Sequence, residues 1–198
     1  MNYKVDYHIH THYSDGTMSP VEVVRQYNDE EYDIISITDH DGIDGLNEAM
    51  IAGEALKIQV VAGVELSTEQ DGIELHILGY NFDPENEALR AKLKELREFR
   101  HERNKALIEK LTELGYPVNL EELEKQSKGK YVGKPNIARA LVKAGYIAAV
   151  SDAWTPGKLF NAPEVKGIRK EKMKTEDAIK LLQQAGGMAV LAHPGKIK

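Results

Sequence analysis

The sequence predicts an α/β fold, built from parallel strand–helix–strand units and interrupted by a mostly helical insertion. Three observations predict it. Short β-rich runs alternate with helical patterns over residues 1–80. From about residue 81 the character changes to long helical patterns. At about residue 173 the strand–helix rhythm resumes. The domain reading is therefore 1–80 with 173–198 as the α/β part, and 81–172 as a mostly helical insertion.

The elements follow in order. Val5 to Ile9 reads as a first strand leading into a loop. Ser19, Pro20 and Glu22 form a helix start, with Ser19 as N-cap, proline at the first helical position and Glu22 closing a capping box. Ile34, Ile35 and Ile37 mark a buried strand, and a helix follows at about Leu46 to Leu56. Gln59 to Ala62 and Glu74 to Gly79 are further strands. Glu85 to Leu114 is one long helical pattern, ended by Gly115 and Pro117. Glu121 to Glu124 suggests a short exposed helix, and Pro135 to Lys143 another helix with Gly145 behind it. Pro156, Gly157 and Pro163 make Thr155 to Gly167 a loop. A helix from Thr175 to Ala185 then feeds a strand from Met188 to Ala192.

Composition narrows the function. The 198 residues are 41% hydrophobic, enough for a core. The 26 basic and 32 acidic residues leave a formal charge of -6, which suits a general nucleic-acid coat poorly. A small phosphorylated ligand in a local basic pocket stays compatible with it. There is no cysteine, so disulfides, thiolate nucleophiles and thiolate zinc sites are excluded. No apolar run approaches the ~20 residues of a membrane span. The first residues lack the apolar core of a signal peptide, so a cytoplasmic location is expected.

Histidines and carboxylates fall at strand ends. His8 and His10 lie two apart on a strand, which points both to one face. Asp15 sits in the loop beyond them. Asp39 and His40 follow the strand at Ile34 to Thr38, Glu65 follows Gln59 to Ala62, and His193 follows Met188 to Ala192. His76 lies within an apolar strand, where a satisfied core histidine is the plainer alternative. In α/β sheets the C-terminal strand ends share one rim, and sites are built there. Paired imidazoles with carboxylates suit divalent metals. Asp39 is expected to hold a histidine tautomer rather than ligate. His12 is expected to be no ligand, and His101 a solvated helix residue.

These residues resemble a known family. His8-Ile9-His10-Thr11-His12-Tyr13-Ser14-Asp15-Gly16 resembles the first motif of the polymerase and histidinol phosphatase (PHP) family. Thr38-Asp39-His40-Asp41 resembles its second, Gly63-Val64-Glu65-Leu66-Ser67 with His76 its third, and Leu191-Ala192-His193-Pro194 its fourth. The branch it most resembles removes phosphate from nucleotides, including 3',5'-bisphosphates and AMP, or trims short RNA from its 5' end.

The resemblance implies a distorted (β/α)7 barrel with two to three divalent Mn, Fe or Zn ions. Their ligands would be His8, His10, Asp15, His40, Glu65, His76 and His193, with Glu65 bridging two ions. Hydrolysis would use a metal-bound hydroxide and no protein nucleophile. Family members continue beyond the fourth motif to an Asp-x-His ligand pair, whereas this sequence stops at Lys198. A C-terminally incomplete barrel with an exposed strand edge is therefore expected, and such an edge invites association. The alternatives are a histidinol-phosphate-type phosphatase and a non-catalytic metal-binding domain.

The insertion offers a basic cluster. Leu89, Leu93, Leu96, Leu107, Leu111 and Leu114 fall within about 40° of one direction at ~100° per residue. Arg100 and Arg103 fall in the same stripe. Snorkelling or pairing with glutamates is the bland reading, and gripping a substrate phosphate or base is the functional one. Asn104, Lys134, Asn136 and Arg139 are weaker candidates for that pocket. Asn136 stands where the family usually has a histidine.

Overall fold

The computed structural model describes residues 3–126, 131–168 and 172–196. They divide into two compact units, one of residues up to 96 together with those from 172, the other within 97–171.

The first unit is built on a six-stranded sheet. In chain order its elements are β1 (Val5–Ile9), α1 (Pro20–Asp29), β2 (Ile34–Ile37), α2 (Leu46–Leu56), β3 (Gln59–Gln70) and β4 (Ile73–Tyr80). After α3 (Glu87–Glu113), α4 (Leu120–Gln126), α5 (Lys134–Lys143) and α6 (Pro163–Lys166), the sheet is completed by β5 (Met173–Lys174), α7 (Thr175–Gln184) and β6 (Met188–Leu191). The strand order is β1-β2-β3-β4-β6, with β5 pairing β3. The capping box at Ser19 and Glu22 opens α1 as expected: the Ser19 side chain accepts from Glu22 N, and Ser19 N donates to Glu22 Oε2 at 2.8 Å.

The sheet is mixed, which corrects the expectation of parallel units throughout. β1–β2 and β2–β3 are parallel, while β4 runs antiparallel to both β3 and β6. The cause is local. Asp71 and Gly72 have φ of 52° and 79°, the two left-handed residues of a tight hairpin turn. β3 and β4 are thus joined directly, without a crossover helix. β3 also extends eight residues past the predicted end at Ala62, so Glu65 lies inside the strand rather than after it.

β1 comes close to β4 and to the end of β6. Tyr80 Oη on β4 donates to the Tyr7 carbonyl of β1 at 2.7 Å. The ring of His8 stacks on that of His193, just past β6, with centroids 5.8 Å apart. Ile35, Ile37, Val64 and Leu66 are buried beneath Val24 of α1, Ala49 of α2 and Leu182 of α7. The first turns of α3 join this core through Leu89, Leu93 and Leu96, each contributing roughly 1.5–3 kcal/mol by burial. Met188, Val190 and Leu191 of β6 stay exposed.

One glycine is forced by the site. A Cβ on Gly16 would lie 2.4 Å from the His10 carbonyl oxygen. Backbone meets backbone there, so only glycine lets the loop fold back and bring Asp15 beside the histidines.

The second unit has its own core of Leu107, Leu111, Ile137, Leu141, Phe160 and Val165. The α3 stripe thus serves the first core over one half and the second over the other. Leu114, expected in that stripe, is 38% exposed because the helix has ended by then. The segment expected as loop carries a 3-10 turn at Leu159–Asn161 and the one-turn α6. Among the described residues no helix is long and apolar enough to cross a membrane.

Candidate metal centre

The site is centred on one carboxylate. Glu65 sits in β3 between Val64 and Leu66, whose side chains point to the opposite face and are fully buried. Its backbone is clamped by the loop after β2: Glu65 N donates to the Asp39 carbonyl at 3.1 Å, and Asp41 N donates to the Glu65 carbonyl at 2.9 Å. The Asp41 carboxylate accepts from Ser67 N at 2.7 Å and Ser67 Oγ at 3.0 Å, tying the same loop one step further along β3. The Glu65 side chain is 1% exposed.

Five imidazoles converge on it. His8 Nε2 lies 3.0 Å, His10 Nε2 3.1 Å and His40 Nδ1 3.3 Å from Oε2. His76 Nδ1 lies 2.8 Å and His193 Nε2 2.9 Å from Oε1. The two oxygens therefore serve two different sets of rings. Asp15 stands behind, 3.6 Å from His10 Nδ1 and 3.8 Å from His40 Nε2. Sets such as His8–His10–Glu65, His10–Asp15–His40 and His40–Glu65–His76 have ligand atoms within 4.8 Å of one another.

Each element delivers its side chain for a local reason. Alternation along β1 points His8 and His10 one way. Ala192 N donates to the His76 carbonyl at 2.9 Å, so the end of β6 is fixed to β4 at His76. His193 then turns with φ 29°, a left-handed conformation costing about 1–3 kcal/mol in a residue other than glycine. That turn points its ring at Glu65.

Asp39 does not touch a histidine directly. It is 2% exposed and accepts from Thr11 N at 2.7 Å, from Thr11 Oγ1 at 2.6 Å and from Ser14 Oγ. Ser14 Oγ in turn lies 3.3 Å from His10 Nδ1. The carboxylate thus orders the loop that carries His10 and Asp15, and reaches His10 through a hydroxyl.

The electrostatics distinguish the rings. Burial alone would raise Glu65, yet contacts from His10, His76, His8 and His40 hold its carboxyl well below the usual range. Burial pushes His40 down to about 4, against the pull of Glu65. Burial also opposes charge on His76, but Glu65 and Glu74 outweigh it and raise the ring to about 9. His10 is raised in the same way, with Glu65 and Asp15 overcoming burial.

The donor set fits divalent cations. Crowded rings, such as His10 and His40 at 4.6 Å between centroids, repel one another when protonated. A neutral His40 facing an ionised carboxylate offers a lone pair suited to a metal rather than a proton. His8, His10, His40, His76, His193, Glu65 and Asp15 could hold such ions.

A pH dependence follows for chelator-treated protein. His76 has a folded pKa above its unfolded value, so its contribution to stability is full below about pH 6.5 and is lost as pH rises through about 9. His40 has a depressed one, so its contribution is present above about pH 6.5 and is lost as pH falls through about 4. The melting temperature in chelator is expected to peak near pH 6.5. A steady rise in thermal melts between pH 6.5 and 9 would contradict the assignment of His76.

The basic candidates belong to the second unit. Arg100 is 3% exposed, with its guanidinium 4.2 Å from the Tyr131 ring centroid. Asn104 Nδ2 donates to the Val132 carbonyl at 2.8 Å. With Arg97, His101 and Glu124 these residues line one pocket. Arg103 and Arg139 are part-buried on α3 and α5. Lys134 Nζ lies 5.5 Å from the Phe160 ring centroid. Asn136 Oδ1 accepts from Gly133 N at 2.9 Å, capping α5. His101, expected to be solvated, pairs with Glu124 of α4 at 2.6 Å.

Sequence reasoning passed over Glu74, whose carboxylate lies 3.5 Å from His76 Nε2, and Lys172, 2.7 Å from Glu74. The spacing of Glu74 and His76 was a readable signal, because two residues apart on a strand share a face. Lys172 had none, being separated from Glu74 by the whole insertion.

A candidate site for divalent ions on a mixed α/β sheet is what these strands and donors define. The PHP domain profile matches residues 6–189, and the chain belongs to that family. It is 31% identical over 194 residues to a 5'-3' exoribonuclease of Haemophilus influenzae, covering 98% of this chain and 70% of the relative. It is 33% identical over 194 residues to a 3',5'-nucleoside bisphosphate phosphatase of Chromobacterium violaceum, covering 97% and 67%. A solved amidohydrolase from Chromobacterium violaceum, with bound sulfate and no metal, superposes with TM-score 0.88 at 32% identity, covering 98% of this chain and 68% of that one.

Proposed function

We propose that the chain is a metal-dependent phosphoesterase that hydrolyses phosphate from a nucleotide, of AMP or 3',5'-bisphosphate type, or from a short oligonucleotide. The observation that carries the reading is the convergence of five imidazoles on the two oxygens of buried Glu65. Two to three Mn, Fe or Zn ions bound there would supply Lewis acidity, bringing the pKa of water towards ~7 and neutralising charge on the phosphoryl oxygens.

The chain's own residues supply the geometry. Glu65 holds both ring sets at fixed separation. Asp15 would join His10 and His40 in a second ligand set, and Asp39 fixes the loop that carries His10 and Asp15. No serine, cysteine or lysine nucleophile is needed. Arg100, Arg103, Asn104, Lys134 and Asn136 are assigned to substrate binding, with the guanidinium and ammonium groups for phosphate. Residues 81–172 are assigned as the substrate-capping insertion, and the rest as a (β/α)7-type barrel. The Tyr80–Tyr7 bond and the His8–His193 stack, which bring β1 beside β4 and beside the residue after β6, support that barrel reading. One named relative is an exoribonuclease and the other a nucleoside bisphosphate phosphatase, and the solved neighbour holds sulfate, a tetrahedral oxyanion like phosphate.

The test is a phosphate-release screen with added Mn over 3',5'-bisphosphates, AMP, histidinol phosphate and short RNA. Turnover of the nucleotides or RNA that chelator abolishes is expected. Preference for histidinol phosphate would move the substrate class. Binding of metal with no turnover of any of them would leave a metal-binding domain and overturn the enzymatic reading.

A further inference from the structure

We propose that Glu74 and Lys172 are positioning residues for His76, and that together they set the affinity of the metal group His76 joins. The inference rests on the reading of His76 as a metal ligand.

The geometry is a clamp. His76 has one carboxylate at each ring nitrogen: Glu65 Oε1 is 2.8 Å from Nδ1, and Glu74 Oε1 is 3.5 Å from Nε2. A carboxylate beyond the far nitrogen keeps a proton on Nε2, so that Nδ1 can give its lone pair to an ion held beside Glu65. Such outer partners fix the tautomer and ring angle of metal-bound histidines.

Glu74 cannot do this unaided. Its side chain is 58% exposed and would sample several rotamers in solvent. Lys172 removes that freedom, with Nζ 2.7 Å from Glu74 Oε2. The lysine side chain is only 12% exposed, which sets the pair apart from ordinary surface ion pairs of little worth.

Lys172 is itself held by its neighbours in sequence. Met173 and Lys174 pair with Thr68 and Glu69 of β3. Thr175 Oγ1 lies 2.9 Å from Thr68 Oγ1. Met173 is buried. The two-residue strand β5 thus docks the returning chain on the ligand-bearing hairpin, and places the lysine against Glu74.

The test measures Mn and Zn affinity of the full chain by competition with a chromogenic chelator. Glu74→Ala is expected to weaken one class of ion about 10–100-fold, Lys172→Met to weaken it less, and Glu74→Gln to recover part of the loss. The double variant Glu74→Ala/Lys172→Met should match Glu74→Ala alone, because the lysine acts only through the glutamate. Nitrogen NMR of the metal-loaded protein should place the His76 proton on Nε2, and that preference should fade in Glu74→Ala. Glu74→Ala binding within about twofold of wild type, while His76→Ala is weakened, overturns the proposal alone; so do additive losses in the double variant. A wild type that binds no ion, or His76→Ala binding like wild type, removes the ligand reading beneath it.

Discussion

Glu65→Gln is expected to lose metal retention by well over the about 10–100-fold that outer-shell partners typically contribute, and to lose phosphoesterase turnover with it. The substitution keeps shape and removes charge. One amide oxygen cannot serve both His8, His10 and His40 on one side and His76 and His193 on the other, as the two carboxylate oxygens do. The amide NH2 would also point a donor at one set of rings and at any cation beside them. Elemental analysis after gel filtration measures the metal side. The metal-free protein gives an independent check. His76 is raised to about 9 by Glu65 and Glu74 against its burial, so without Glu65 the alkaline loss of stability should move towards neutral pH. Full metal content in Glu65→Gln would show that the imidazoles bind without the bridge, and would remove Glu65 from the centre of the site.

Much of that centre was legible in the sequence because its signals are local. His8 and His10 sit on one face by strand alternation alone. Asp39, His40 and Asp41 follow a run of isoleucines too apolar to be anything but buried. Glu65 reads from the sequence as a strand-end residue. The strand in fact continues to Gln70, and the carboxylate is delivered from its middle. The extension has a visible cause, since Asp71-Gly72 between two β-rich runs is a strong hairpin signal. Reading it would also have made β4 antiparallel.

What was not legible depends on distance along the chain. The pairing of β5 with β3 joins residues more than a hundred apart, across a whole second unit. A two-residue strand carries no periodicity by which to find it. The α3 stripe was readable as amphipathic, but a single stripe cannot reveal that its leucines enter two cores. The role expected for Asp39 shows the same limit. Its position beside His40 suggested contact with a histidine, while its acceptor geometry is set by Thr11 and Ser14, which only the fold brings within reach.

Asp39→Ala is the second large effect. The carboxylate is the shared acceptor for Thr11 N, Thr11 Oγ1 and Ser14 Oγ, and both residues are fully buried. Removing it strands those donors, at about 1–3 kcal/mol for each left unsatisfied. Burial itself raises the pKa of Asp39, so losing the charge returns some desolvation energy and makes the sum less than additive. A net loss of roughly 3 kcal/mol is expected, which lowers the melting temperature by about 6–12 °C at this chain length. The functional consequence is separate from the stability one. The freed loop carries His10 and Asp15, so the His10–Asp15–His40 set should weaken more than the set that contains His76 and His193. Asp39→Asn keeps an acceptor oxygen for Thr11 and should fall between the two. Thermal melts with and without Mn, paired with metal titration, measure both effects. A variant that melts with wild type yet loses metal would place Asp39 among the ligands. One that loses stability but keeps its metals would confine it to the loop.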